Sequence, residues 1–196
     1  MEPLKTPVSM KKVLVACECS QVVTTAFRNA GASAWSCDIE PCYGPHPEWH
    51  FQCDVTRILH QKWDLVIAHP PCTYLTKVSA VALSKDPSRI EKMHAGRDFF
   101  MMFTLLDCPV CIENPIPLRA AGLPPYTQIV CPSQFGHKFT KRTCLWLYDL
   151  PPLLPMRGYF INAPSWHGHC NGTMKRRSRF WEGIAEAMAA QWLPII

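Results

Sequence analysis

Two short runs carry the reactive side chains of this 196-residue chain: HPPCTYL, from His69 to Leu75, and CIENP, from Cys111 to Pro115. An apolar run, DLVIA (Asp64 to Ala68), leads straight into the first. Pro70 and Pro71 fix their own φ angles and so stiffen the turn that presents Cys72. A thiolate there is a strong nucleophile and can add to an electron-poor ring. The competing role is an inert buried thiol, one of 11 in the chain. In the second run Glu113 follows Ile112 at the end of an apolar strand. A partly desolvated carboxyl can keep its proton near neutral pH. It could then hydrogen-bond the ring nitrogen and amino group of a cytosine and make that ring more open to attack by Cys72. The competing role for Glu113 is a local cap.

Acidic residues follow other strand-like runs. Asp38 lies about 20 residues beyond the first strand–helix turn, where nucleotide-binding sheets place a carboxylate for ribose hydroxyls. Ile39 behind it offers an apolar face to an adenine, and Asp54 can accept from an adenine amino group. Taken singly, each Asp is more readily a turn or cap residue. Taken together, at successive strand ends, they favour an adenosine-containing ligand. The first turn, CECSQVV, has no glycine, and the chain has no phosphate loop. A dinucleotide is therefore disfavoured. S-adenosylmethionine fits better, and Glu18 would favour its cationic sulfonium. Cys17, Cys19, Ser20, Val55 and Pro70 are expected to line the same crevice.

The elements that must hold these residues alternate. VLVA (Val13 to Ala16) reads as a buried strand, then a helix over Gln21 to Ala30 capped by Ser20 and ended by Gly31. Further strands are expected at 32–38, 50–54, 63–69, 109–115, 128–132 and 143–148. Asp86-Pro87 starts a helix reaching about Leu106, and a last amphipathic helix spans 178–192. The expected fold is a doubly wound α/β, Rossmann-like sheet, mostly parallel with one antiparallel strand. Ligands bind such sheets beyond the carboxyl ends of the strands, which is where all the residues above fall. Residues 1–11 read as a leader and 12–196 as a single domain.

Composition narrows the class. The hydrophobic share of 48% can fill one sizeable core, and the net charge of +5 is compatible with a polyanionic partner. An odd number of cysteines and no signal-like apolar leader point to free thiols in a reducing cytoplasm, with no membrane role. Cys108 and Cys111, Cys17 and Cys19, and His167, His169 and Cys170 do not reproduce the paired spacings of zinc sites, so no metal is expected.

The motifs, in order, resemble those of the DNA cytosine-5 methyltransferases. SCDIEP resembles the family's acid–apolar–acid motif, CDVTRI its next acidic motif, and DLVIAHPPCTYL the motif that carries the catalytic Pro-Cys. GRDFFMMFTLL resembles the Arg-containing helix, and CIENP the Glu-Asn-Val motif with Pro replacing Val. The resemblance runs from about Val13 to Leu147. It implies S-adenosylmethionine as cofactor and a flipped cytosine as substrate. It also implies Cys72 as nucleophile and Glu113 as its partner carboxyl. KFTKRTCLWL stands where the family has Gln-Arg-x-Arg, which puts Lys141 in the first Arg place and Thr143 in the second, with Arg142 as a substitute catalytic arginine. The family's glycine-bearing first turn and its Gly-Asn-Ser-Val lead-in to the last helix are replaced by ACECSQ and SRFW.

Residues 148–178 are too few for a target-recognition domain. Thr73, Tyr74, Lys141 and the basic run holding Lys175, Arg176 and Arg177 are the expected nucleic-acid contacts. Relaxed specificity, a short target, or a partner protein that supplies recognition would each accommodate this. DNA is the expected partner, with RNA or a free nucleotide as alternatives. Two rivals remain at this level: an amino-group methyltransferase, for which Tyr74 would be the stacking ring, and a silent binder of nucleic acid or protein.

Overall fold

A computed structural model describes residues 10–156 and 180–196. Its seven strands are β1 (Lys12–Ala16), β2 (Ser33–Asp38), β3 (His50–Gln52), β4 (Leu65–Ala68), β5 (Val110–Pro115), β6 (Gln128–Val130) and β7 (Thr143–Tyr148). They form one sheet in the order β3-β2-β1-β4-β5-β7-β6. Strands β1 to β5 pair in parallel, and β7 runs antiparallel to both β5 and β6. This is the expected doubly wound, mostly parallel sheet with one antiparallel strand.

Alternation along the strands divides the core between two faces. Val13 and Val15 of β1, Leu65 and Ile67 of β4 and Leu145 of β7 share one cluster with helix α1 (Val22–Asn29) and the C-terminal helix, called α4 here (Glu182–Trp192). Leu14, Ala16, Val66, Ala68, Ile112 and Trp146 share the other with Met93 and Phe100 of helix α3 (Arg89–Met102). All of these side chains are buried. A short helix α2 (Ala80–Lys85), absent from the sequence expectation, precedes α3. Six residues with no wide apolar stripe give too little period to read. The expected cap at Asp86 is present: its Oδ1 accepts from the Ser88 N–H and hydroxyl.

The strand order reverses between β1 and β4, so a crevice must open at their carboxyl ends. The β1 side of it is built without glycine, although both Cys17 (φ 60°) and Gln21 (φ 59°) adopt the left-handed region. The expected Ser20 cap is replaced by Glu18. Its carboxylate, 4% exposed, accepts from the Val23 and Thr24 N–H groups at 2.8 and 3.2 Å and from the Thr24 hydroxyl at 2.7 Å. Ser20 donates its hydroxyl to Glu18 instead. A negative charge at a helix N-terminus satisfies orphan donors and complements the helix dipole. Gly31 (φ 97°) then ends α1 in the left-handed conformation that glycine adopts at no steric cost.

Glu18→Ala strands two buried N–H groups and a hydroxyl. It should lower unfolding free energy by about 2–3 kcal/mol, seen as a reduced urea midpoint at unchanged slope. Ser20→Ala should change it by less than about 1 kcal/mol.

Candidate active site

Strand β4 ends for a backbone reason. The His69 N–H still donates to the Ala16 carbonyl at 3.0 Å, but Pro70 and Pro71 have no N–H to continue the ladder. The chain turns, and the Leu75 N–H donates back to the Cys72 carbonyl at 3.1 Å. From β5, the fully buried Asn114 donates its side-chain amide to the Pro70 carbonyl at 3.4 Å and so holds the turn from beneath. The Asn114 Oδ1 is buried with no hydrogen-bond partner among the described residues.

His69 joins the site through a contact that sequence spacing does not reveal. Its Nδ1 lies 3.1 Å from Glu113 Oε2, with the two side chains 12% and 15% exposed. Facing a carboxylate, which only accepts, Nδ1 of a neutral ring carries the proton. Nε2 is buried without a partner among the described residues. Phe180, from the lead-in to α4, packs on the imidazole at a ring separation of 4.9 Å. The only local signal was the His in HPPC itself. The pairing joins positions 44 residues apart.

Cys72 lies beside this pair. Burial pushes its thiol pKa up, the Glu113 carboxylate pushes it further, and Lys141 pulls it down. The cation that acts on Cys72 is thus Lys141. Arg142 is exposed and acts instead on Cys131, whose thiol it pulls down against burial. Thr143, at the second arginine place, is buried in β7, with its hydroxyl 3.5 Å from the Lys141 carbonyl. Thr73 is exposed on the turn. Tyr74 has the Arg89 guanidinium over its ring at 4.7 Å and Lys92 at 5.9 Å, so α3 occupies the ring that an amino-group enzyme would use for stacking. Lys175, Arg176 and Arg177 lie outside the described residues, as do His167, His169 and Cys170.

Across the crevice, the side chains expected to hold a cofactor gather around Cys17. Its thiol is pushed up by burial and then by Asp38, Cys37, Cys19 and Asp54, which places these groups within electrostatic reach of one another. Cys19 is pushed up to about 12 by burial and by Asp38. Asp38 is partly exposed, and its Oδ1 accepts from the Glu40 N–H at 2.9 Å. Ile39 is 70% exposed. Asp54 is exposed, and the Thr56 N–H and hydroxyl hold its carboxyl below the usual range. Val55 is buried behind it and Pro70 behind the Cys72 turn. Two accessible carboxylates flanking an exposed isoleucine suit a ribose diol, an amino-bearing ring and its apolar face. That donor set fits an adenosine moiety. Glu18 is committed to capping α1 and Ser20 to Glu18.

No family model matches the chain, and no curated protein matches it. Among solved structures it is similar to the Entamoeba histolytica methyltransferase EhMeth, at 13% identity and a TM-score of 0.47, over 78% of this chain and 58% of that one. It is also similar to a mutant of DNMT2 from Spodoptera frugiperda, at 13% identity and a TM-score of 0.35, over 79% of this chain and 54% of that one. The chain therefore spans little more than half the length of either. The fold class rests on the strand order itself. Among the described residues no helix is long and apolar enough to cross a membrane.

The opposed effects on Cys72 can be measured one at a time. Glu113→Gln removes an anion that disfavours the thiolate, so iodoacetamide labelling of the Cys72 peptide at pH 8 should quicken about three- to tenfold. Lys141→Met removes the opposing cation and should slow it by a similar factor. Below the thiol midpoint the labelling rate follows the thiolate fraction. Labelling rates of that peptide between pH 7 and 10, followed by mass spectrometry, read both.

Proposed function

We propose that this chain is an S-adenosylmethionine-dependent methyltransferase that modifies carbon five of cytosine in DNA through a Cys72 nucleophile. The observation that carries the reading is the His69–Glu113 pair at 3.1 Å beyond the end of β4, with Glu113 and Lys141 both within electrostatic reach of Cys72. The motif order and the carboxylates beyond β2 and β3 support it further. S-adenosylmethionine, when bound near Asp38, Ile39 and Asp54, supplies an electrophilic methyl group.

The chain's own residues do the rest. Asn114 clasps the Pro-Pro turn that carries Cys72. The Lys141 charge favours loss of the Cys72 thiol proton, and the thiolate adds to ring carbon six of a cytosine extruded from its stack. His69 Nδ1–H donates to Glu113 Oε2 and leaves Oε1 to face the base. A proton on Oε1 is donated to ring nitrogen three as negative charge develops there, which lowers the barrier to addition. Once carbon five carries the transferred methyl group, its proton passes to a water molecule, the carbon–sulfur bond breaks to release the Cys72 thiolate, and the ring-nitrogen proton returns to Glu113. His69 is a positioning residue here, because it acts through Glu113.

DNA is the proposed substrate. Residues 148–178 leave room for little sequence readout, so a relaxed target or a partner that confers recognition completes the proposal. Tyr74 beneath Arg89 and Lys92 counts against the amino-group alternative.

Incubation with S-adenosylmethionine and DNA containing 5-fluorocytosine should yield a denaturant-stable adduct on the Cys72 peptide. Cys72→Ser should give none. Glu113→Gln should slow its formation by about 100- to 1,000-fold, the size expected for a lost transition-state donor. Methylation of an exocyclic amino group without an adduct would overturn the carbon-five chemistry. An adduct with RNA or free nucleotide but not with DNA would move the reading to that substrate.

A further inference from the structure

A second concavity adjoins the Cys72 turn. It has a volume of about 380 Å³, and its lining includes Lys77, Ile116, Leu118, Arg119, Pro124 and Tyr126. That volume is in the range of small-ligand sites. Its two walls are continuations of the two catalytic loops. Lys77 comes five residues after Cys72 and Ile116 three after Glu113, so their Cα atoms lie within about 18 and 11 Å of those residues at full extension. The walls are stitched together. The Lys77 N–H donates to the Ile116 carbonyl at 3.2 Å, the Leu118 N–H to the Leu75 carbonyl at 2.6 Å, and Thr76 bridges Pro117.

The chemistry of the lining is one-sided. Its charged side chains are Lys77 and Arg119, with no carboxylate among the lining residues. The rest is proline, aliphatic and Tyr126, a residue 41% exposed. Tyr126 stands edge-on to Trp146 at 6.0 Å, and Trp146 is buried and donates its indole N–H to the Pro124 carbonyl at 2.8 Å. The aromatic wall is thus held by the core and is preformed. A flat apolar ring joined to an anion matches this lining: rings stack on tyrosine, and phosphates are taken by paired cations.

We propose that this cavity binds an unpaired nucleotide flanking the target cytosine, with its base on Tyr126 and its phosphate between Lys77 and Arg119. The identity of the strand rests on the cytosine reading. The binding itself does not require that chemistry, so the two can fail separately.

The probe is a fluorescent 12-residue oligo-dT, which holds no cytosine, titrated against the full chain at several salt concentrations. Lys77→Ala with Arg119→Ala should flatten the slope of log affinity against log salt by about 0.7, the value for one phosphate contact on a single strand. Tyr126→Ala should weaken binding about 5- to 100-fold at fixed salt, the loss of one stacked base, and leave the slope unchanged. Tyr126→Phe keeps the ring and should bind as the parent does, which separates stacking from misfolding. Unchanged affinity and slope in the alanine variants would overturn the proposal. So would displacement of the oligonucleotide by poly-glutamate together with indifference to Tyr126→Ala, which would mean that the cations act without a base site. Retention of these effects in a chain that gives no 5-fluorocytosine adduct would uphold the nucleotide site and remove the cytosine chemistry.

Discussion

The site depends on a strand that runs out of hydrogen-bond donors. β4 is buried on both faces and paired on both sides until His69, and then two prolines end the ladder. A parallel strand buried this way has no solvent to satisfy a stray carbonyl, so the freed Pro70 oxygen needs a donor. Asn114 supplies it from the neighbouring strand. One contact therefore ties the Cys72 turn to β5, the strand that also carries Glu113. The fixing of the Cys72 turn and the placement of the Glu113 strand are thus tied by one contact.

The electrostatics follow from that closeness. Burial disfavours ionisation of the Cys72 thiol, and the neighbouring Glu113 carboxylate disfavours it further. Lys141, entering from the start of β7, offsets the effect on Cys72. His69 meets the carboxyl from the other side with an N–H. Two buried polar atoms, His69 Nε2 and Asn114 Oδ1, are left over beside the turn. Unpaired groups of this kind are costly in a finished core and are frequent where a ligand completes the bonding.

The C-terminal helix closes the arrangement. α4 packs on α1 and the same face of the sheet, and its lead-in brings Phe180 against His69. The entry is tight at Gly183, where a Cβ would overlap the Phe135 carbonyl, and the Gly183 N–H donates to His137 Nε2 at 3.0 Å. SRFW, which departs from the lead-in expected of the resembled family, thus supplies the ring that covers the histidine. On the opposite side, the first turn lacks glycine and adopts left-handed geometry at Cys17 and Gln21 all the same. Glu18 and the buried Gln21 side chain, which exchanges two hydrogen bonds with His46, hold it in place.

The strands were legible because each is a short apolar run closed by proline, glycine or an acid, and those signals are local. The same locality located Cys72, Asp38 and Asp54 at strand ends, whereas Glu113 lies inside β5, opposite Leu145. Capping was misjudged at Ser20, because a carboxylate further back in the turn could fold onto the helix and nothing in the spacing ranks one acceptor above the other. Which of Lys141 and Arg142 acts on Cys72 is not legible, because residue type is visible in a sequence and side-chain direction is not. Both precede β7, and the course of the chain there brings the Lys141 charge within electrostatic reach of the thiol. The sequence by itself determined which side chains stand where strands stop. Only the tertiary structure decided that His69 bonds Glu113 and that Asn114 holds Pro70, because those pairs are made by two neighbouring strands 44 residues apart, and no local period records which strands lie side by side.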